Sequence, residues 1–165
     1  MATITSLLLP AHGNTQRGRQ PYQIQKTIDL TAQAISCTGG DVVQCLTIPA
    51  HTKIIAAGFE VEESATMNTG TNATAILGTG ADDNEYVAAF DIDGAADGAY
   101  APSVTPSADV VLSTADTLDL TFAGDGATFS AGKIRVYAIL ADVSDMGQGT
   151  GNGFNAVEVD RDALA

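Results

Sequence analysis

Few residues in this chain have side chains able to do chemistry, and their spacing decides how far each can be taken. Two cysteines, Cys37 and Cys45, flank the turn-forming run Thr38-Gly39-Gly40-Asp41. If that run closes a tight hairpin, Cys37 faces Val42 and Cys45 lies further along, so a disulfide with its short Cα separation would need a bulge or a wider loop. The thiols are therefore expected to stay reduced and pack as small hydrophobes. Zinc would need both cysteines together with His51 and His12, and no recognised ligand spacing is present. Neither histidine has a neighbouring carboxylate in sequence, and there is no Gly-x-Ser-x-Gly elbow. With no motif for a triad or a carboxylate pair, the chain is expected not to be an enzyme.

Calcium is the one metal worth weighing. Asp91-Ile-Asp-Gly-Ala-Ala-Asp-Gly98 sets Asp91, Asp93 and Asp97 along one loop, in the manner of part of an Asp-x-Asp-x-Asp-Gly calcium loop. The third acid is displaced, no glutamate closes the frame, and Asp-Gly pairs form ordinary turns equally well. The expectation is no cofactor, with calcium at these three aspartates as the metal to test. Gly78-Thr-Gly80 and Gly124-Asp-Gly126 precede no helix and sit beside acids, so they read as turns and not phosphate cradles.

Strands must position all of these residues. Tyr22, Ile24, Lys26, Ile28 and Leu30 share one parity and polar residues the other, which is the period of a half-buried strand. Further strands are expected at Val42–Ile48, Lys53–Val61 with Ile55, Ala57, Phe59 and Val61 inward, and Thr74–Leu77. Others follow at Glu85–Ile92 with Tyr86, Ala88, Phe90 and Ile92 inward, at Val110–Leu112, through Leu118–Phe122, and at Lys133–Ala141. Residues 93–107 read as a long loop and 124–132 as a turn. Ile134, Val136, Ala138 and Leu140 form the inner face of the last strand, while Tyr137 and Ile139 on its other side suggest cover there too. About eight strands with Gly/Asp/Thr/Pro turns and no amphipathic helix predict an all-β antiparallel sandwich, jelly-roll-like or Ig-like.

The 165 residues fit one domain. It is bounded by an N-terminal arm, 1–21, a β-sandwich, 22–143, and a Gly-rich and acidic C-terminal tail, 144–165. The tail's alternating Val157 and Val159 read as an edge strand added to a neighbour or as a frayed end. Charge is segregated: residues 1–28 hold Arg17, Arg19 and Lys26 and no acid, whereas Lys53 and Lys133 bracket thirteen acids and no base. A net charge of −13 disfavours direct binding to nucleic acid and to anionic membranes. No apolar run reaches the ~20 residues of a membrane helix, and Leu7-Leu8-Leu9 is too short for a signal-peptide core.

Ser113-Thr-Ala-Asp-Thr-Leu-Asp-Leu-Thr-Phe, followed by Ala131-Gly-Lys-Ile-Arg-Val-Tyr-Ala-Ile-Leu-Ala-Asp-Val, resembles the terminal hairpin of small virion proteins of tailed bacteriophages. Ile48-Pro-Ala-His-Thr-Lys-Ile-Ile-Ala-Ala-Gly-Phe-Glu-Val is similar to a central strand of such proteins. The resemblance spans residues 22–143 and transfers no site motif. It implies a capsid decoration (cement) protein on the virion surface, made in the host cytoplasm. Its partners would be the major capsid protein and its own copies, with a homotrimer favoured. A tail-tube or head–tail connector subunit, and then a receptor- or glycan-binding module, are the alternatives; the absence of Trp counts against the module. Arg17 and Arg19 are the expected shell contacts, and Ile4, Leu7, Leu8 and Leu9 form an expected apolar anchor or, equally, a first strand.

Overall fold

The computed structural model describes residues 21–32, 35–37, 40–101, 111–126 and 128–143. The expected arm and tail, with Ile4, Leu7, Leu8, Leu9, Arg17 and Arg19, lie outside the described residues. Nine strands run in chain order: β1 (Tyr22–Asp29), β2 (Val42–Ile48), β3 (Thr52–Met67), β4 (Ala73–Gly78), β5 (Val87–Asp91), β6 (Ala99–Ala101), β7 (Val111–Leu112), β8 (Asp116–Gly124) and β9 (Phe129–Asp142). They form two sheets, β1-β9-β3-β6 with β7 on β3, and β2-β8-β4-β5. Every ladder between strands is antiparallel.

The connectivity follows from four pairings: β1 with β9, β2 with β8, β3 with β6, and β4 with β5. A chain paired in this way is a long ribbon, and wrapping the ribbon around a core sends successive strand pairs to opposite sheets. This is the jelly-roll-like order of two interleaved Greek keys, with β7 as a two-residue addition. In an immunoglobulin sandwich the first two strands share a sheet; here β1 and β2 do not.

The core fills the space between the sheets. Ile134, Val136, Ala138 and Leu140 of β9 face Leu118, Leu120 and Phe122 of β8, all fully buried. Phe59 meets Phe90 edge to face with ring centroids 5.7 Å apart, and Phe122 meets Phe129 at 5.7 Å. Each large side chain so buried contributes about 1.5–3 kcal/mol, and the edge-to-face pairs tie β3 to β5 and β8 to β9.

The observed strands depart from the sequence pattern where the ladder slips. Ile55 was expected inside, but a bulge between Ile54 and Ala56 turns Ile54 inward and leaves Ile55 41 % exposed. One inserted residue reverses the parity that follows, and Ala57, Phe59 and Val61 then face the core as expected. Similarly, the slip between Ala75 and Leu77 of β4 sets Val87 against Leu77, so Val87 is buried and Ala88 is exposed. β3 continues six residues beyond Val61, β9 starts at Phe129 inside the expected turn, and the expected loop after Asp93 contains β6. Tyr22 and Lys26 share the inward parity yet are exposed, because β1 is an edge strand with a neighbour on one side only.

Candidate docking surface

Three of the sequence-selected carboxylates belong to the segment that joins β5 to β6. Asp91 accepts the Asp93 backbone N–H at 3.0 Å, and Asp97 accepts the Ser64 N–H at 2.8 Å. Gly94 and Gly98 take positive φ of 76° and 82°, which permits the two tight bends between them. Asp91 and Asp97 thereby spend an oxygen each on backbone donors, and Asp97 ties the segment to Ser64 of β3. Among the described residues no three His, Cys, Asp or Glu side chains converge into a metal-holding group.

The other candidate nucleophiles are placed structurally. His51 adopts a left-handed turn with φ of 57°, its N–H donating to Leu112 and its carbonyl accepting from Val143. Cys37 and Cys45 are free and buried. A bulge between Gln44 and Leu46 points Cys45 inward, where its thiol donates to the Val43 carbonyl at 3.1 Å. Burial pushes the Cys45 thiol up to about 11, and burial together with Asp125 also raises that of Cys37. Such thiols are poor nucleophiles and poor metal ligands. His12 lies outside the described residues.

A built surface is found instead on the outer face of the five-stranded sheet. The register places Gln25, Tyr137 and Gly58 in one row across β1, β9 and β3, and Thr27, Arg135, Glu60 and Tyr100 in the next. Tyr100 and Tyr137 stack with centroids 5.8 Å apart and planes 19° from parallel, and their hydroxyls touch. Gly58 makes this possible. A Cβ there would lie 3.0 Å from the Tyr137 ring carbon and 3.2 Å from the Ala101 carbonyl oxygen, so only a glycine lets the ring lie across β3. Tyr100 is 53 % exposed.

Beside the aromatic pair lies an ionic cluster. Arg135 reaches Glu60 with one guanidinium nitrogen and Glu62 with the other, the latter at 3.1 Å; Lys133 bonds Glu63 at 2.7 Å. The β3 ladder slips between Val61 and Glu63, which is why three glutamates reach one face. Hydrogen bonds to Glu60 and Glu63, and the attraction of the same carboxylates, raise the pKa of Arg135 and Lys133 respectively. Both bases therefore stay charged, and their partners are already in place.

The opposite face contrasts with this. All four bases among the described residues, Lys26, Lys53, Lys133 and Arg135, belong to the five-stranded sheet, and β2, β4, β5 and β8 hold none. The four-stranded side carries Asp91, Asp116 and Asp119, and the β4–β5 loop over it adds Asp82, Asp83 and Glu85. That loop crosses Gly78, where a Cβ would overlap the Asp82 carbonyl, and next to it Asp119 is buried with Oδ1 lacking a hydrogen-bond partner. Burial and neighbouring Asp82 raise the pKa of Glu85, partly offset by bonds from Thr79 and Tyr86.

Sequence reasoning had singled out neither tyrosine as a pair. Tyr100 sat in an expected loop, and the stack joins residues 37 positions apart. The one available signal was Gly58, an isolated glycine within an apolar strand, which marks close approach by another group.

No family model matches the chain, and no curated relative matches it. Two solved structures share its fold. A chain of the cyanophage Pam1 capsid asymmetric unit superposes with a TM-score of 0.62 at 19 % identity, covering 85 % of this chain and 97 % of that one. A chain of the capsid of Ralstonia phage GP4 superposes with a TM-score of 0.57 at 18 % identity, covering 82 % and 89 %. At these identities the likeness is one of fold. It extends over nearly the whole of each neighbour, so those chains are close to this one in size.

Proposed function

We propose that this chain is a non-enzymatic structural protein of a phage virion, and within that class a capsid decoration (cement) subunit. The observation that carries the reading is the near-complete coverage of small chains from two phage capsids by the same two-sheet fold. A domain of this size and all-β architecture suits a component laid on a shell, and the outer face of its five-stranded sheet offers a surface for contact.

The outer face of β1-β9-β3-β6 is the surface proposed to meet the major capsid protein. Tyrosine and arginine are the residues that carry binding energy at protein interfaces, and here Tyr100, Tyr137 and Arg135 stand together. Arg135 and Lys133 already hold carboxylates, so docking would not leave them as unpaired buried charges. The four-stranded side, acidic and free of bases, would face solvent and keep virions from associating. Arg17, Arg19, Ile4 and Leu7–Leu9 remain proposed as additional shell contacts, and a homotrimer as the solution state. A calcium at Asp91, Asp93 and Asp97 would show itself as a chelator-dependent fall in melting temperature.

The test is sedimentation of the purified chain with emptied shells of its own virus's major capsid protein, alongside light scattering of the chain alone. Saturable co-sedimentation that raises the shell's melting temperature, with a trimer in solution, is the expected result. A hexameric ring without shell binding would support the tail-tube reading instead.

A further inference from the structure

The flank of the sandwich where β1 and β2 lie side by side is open. β1 pairs only with β9 and β2 only with β8, so both present a free edge there. Between them is a cleft of about 590 Å³ whose walls include Ile28, Ile35, Val42 and Val43, with Lys26 and Gln44 beside them. Val42 is 56 % exposed, high for an apolar residue beside a groove. Among the described residues Lys26 has no ion-pair partner, whereas Arg135 and Lys133 do.

The free backbone groups can be assigned. Leu30 N–H donates to the Gly132 carbonyl at 3.0 Å, in register with the ladder that sets Ile28 against Ile134. Bonded pairs alternate along an antiparallel ladder. The even-numbered residues of β1 therefore turn their N–H and C=O groups toward β9. Gln23, Gln25 and Thr27 turn theirs to the open edge, as does the Asp29 N–H, while the Asp29 carbonyl accepts from Ala32 at 3.3 Å. The outward groups of Gln23, Gln25 and Thr27 beside an apolar cleft form a template for one more strand.

We propose that this edge is occupied by residues 156–160 of the same chain, Ala-Val-Glu-Val-Asp. The segment alternates apolar and acidic residues, the pattern of a strand with one covered face. With Val157 and Val159 turned into the cleft toward Ile28 and Val43, Glu158 and Asp160 take the opposite, solvent face of the added strand, the face of Gln25 and Thr27. Reach is sufficient. β9 ends beside Tyr22, and the cleft lies seven residues along β1, about 23 Å away. The twelve residues from 144 to 155 span up to about 40 Å. Tethered over that distance, the segment meets the edge at an effective concentration on the order of millimolar, well above that of a free second copy in dilute solution.

The test is residue-resolved hydrogen exchange on the full chain, with mass by light scattering. Diluted until light scattering reports a monomer, the chain should keep its Gln25 and Thr27 amides protected to the level of the Lys26 and Ile28 amides. Val157→Asp with Val159→Asp should speed exchange at Gln25 and Thr27 by about 100-fold while leaving Lys26 and Ile28 unchanged. Rapid exchange at Gln25 and Thr27 in the unaltered monomer would overturn the proposal. So would protection that appears only with a dimer dissolved by the Val157/Val159 variant, since the occupant would then be a second copy.

Discussion

The outer face of β9–β3 and the outer face of β8–β4 start from the same alternating pattern and end as different surfaces. On β8 and β4 the outward positions are Thr117, Asp119, Thr121, Ala123, Thr74 and Ile76, mostly short side chains that leave a smooth sheet partly covered by an acidic loop. On β9 and β3 they are Lys133, Arg135, Tyr137, Ile139 and Glu60, long side chains with a gap cut at Gly58. Relief, aromatic area and paired charge fall on one side; net negative charge falls on the other. The comparison teaches that the strands of a small sandwich can be alike inside while the outward half of the alternation divides contact from repulsion.

The strongest way to break this contrast is to refill the gap. Gly58→Val should drive the Tyr137 ring off β3 and press on the Ala101 carbonyl, costing about 3 kcal/mol by chemical denaturation and abolishing shell binding. Removing the rings while sparing the backbone should separate the two effects. Tyr100→Ala with Tyr137→Ala is expected to weaken co-sedimentation about 100-fold at a stability cost of about 1 kcal/mol. Asp82→Lys with Asp83→Lys on the acidic side should leave binding unchanged, and equal losses from both double variants would end the division of labour.

The acidic side has its own weak point. Asp119→Asn removes a buried carboxylate whose Oδ1 is unpaired beneath an acidic loop, and should raise stability by about 1 kcal/mol by the same denaturation assay. The smallest expected effect is acid titration. Thr31 holds the Asp29 carboxyl below its usual range, and the Asn72 and Thr71 N–H groups do the same for Asp125, each at 2.9 Å. A depressed carboxyl stabilises the fold above its unfolded pKa, near 3.9, and that contribution is lost as pH falls through the lower folded value. The melting temperature should accordingly stay flat from pH 8 to 5 and decline below about pH 4, with Asp125→Asn blunting the decline.

Much of the interior was legible in the sequence because burial and period-two alternation are one signal. Leu118, Leu120 and Phe122, and Ile134, Val136, Ala138 and Leu140, face the core as the pattern requires, and β2 has the bounds expected. What escaped depended on a partner. A bulge at Ile55 is a property of the β3–β9 ladder and leaves no local mark, and Ala99–Ala101 is a strand only because Val61, Glu60 and Phe59 lie opposite. The docking face was hidden for the same reason, since Tyr100 and Tyr137 acquire meaning only when the register brings them over Gly58. The two-sheet class was readable from turn spacing, whereas the order of the strands was not.

The pairing of β1 with β9 has a consequence for timing. Tyr22 lies against Leu140, so the first and last strands of the body meet across nearly its whole length of chain. Closing so long a loop is entropically costly and belongs late in folding, which for domains dominated by distant pairings takes milliseconds to seconds. Residues 21 and 143 become neighbours only at that closing step. A ligand that must grip the segments on both sides of the body at once would therefore ignore half-folded chains, and finishing the barrel-like wrap would itself license the subunit for assembly.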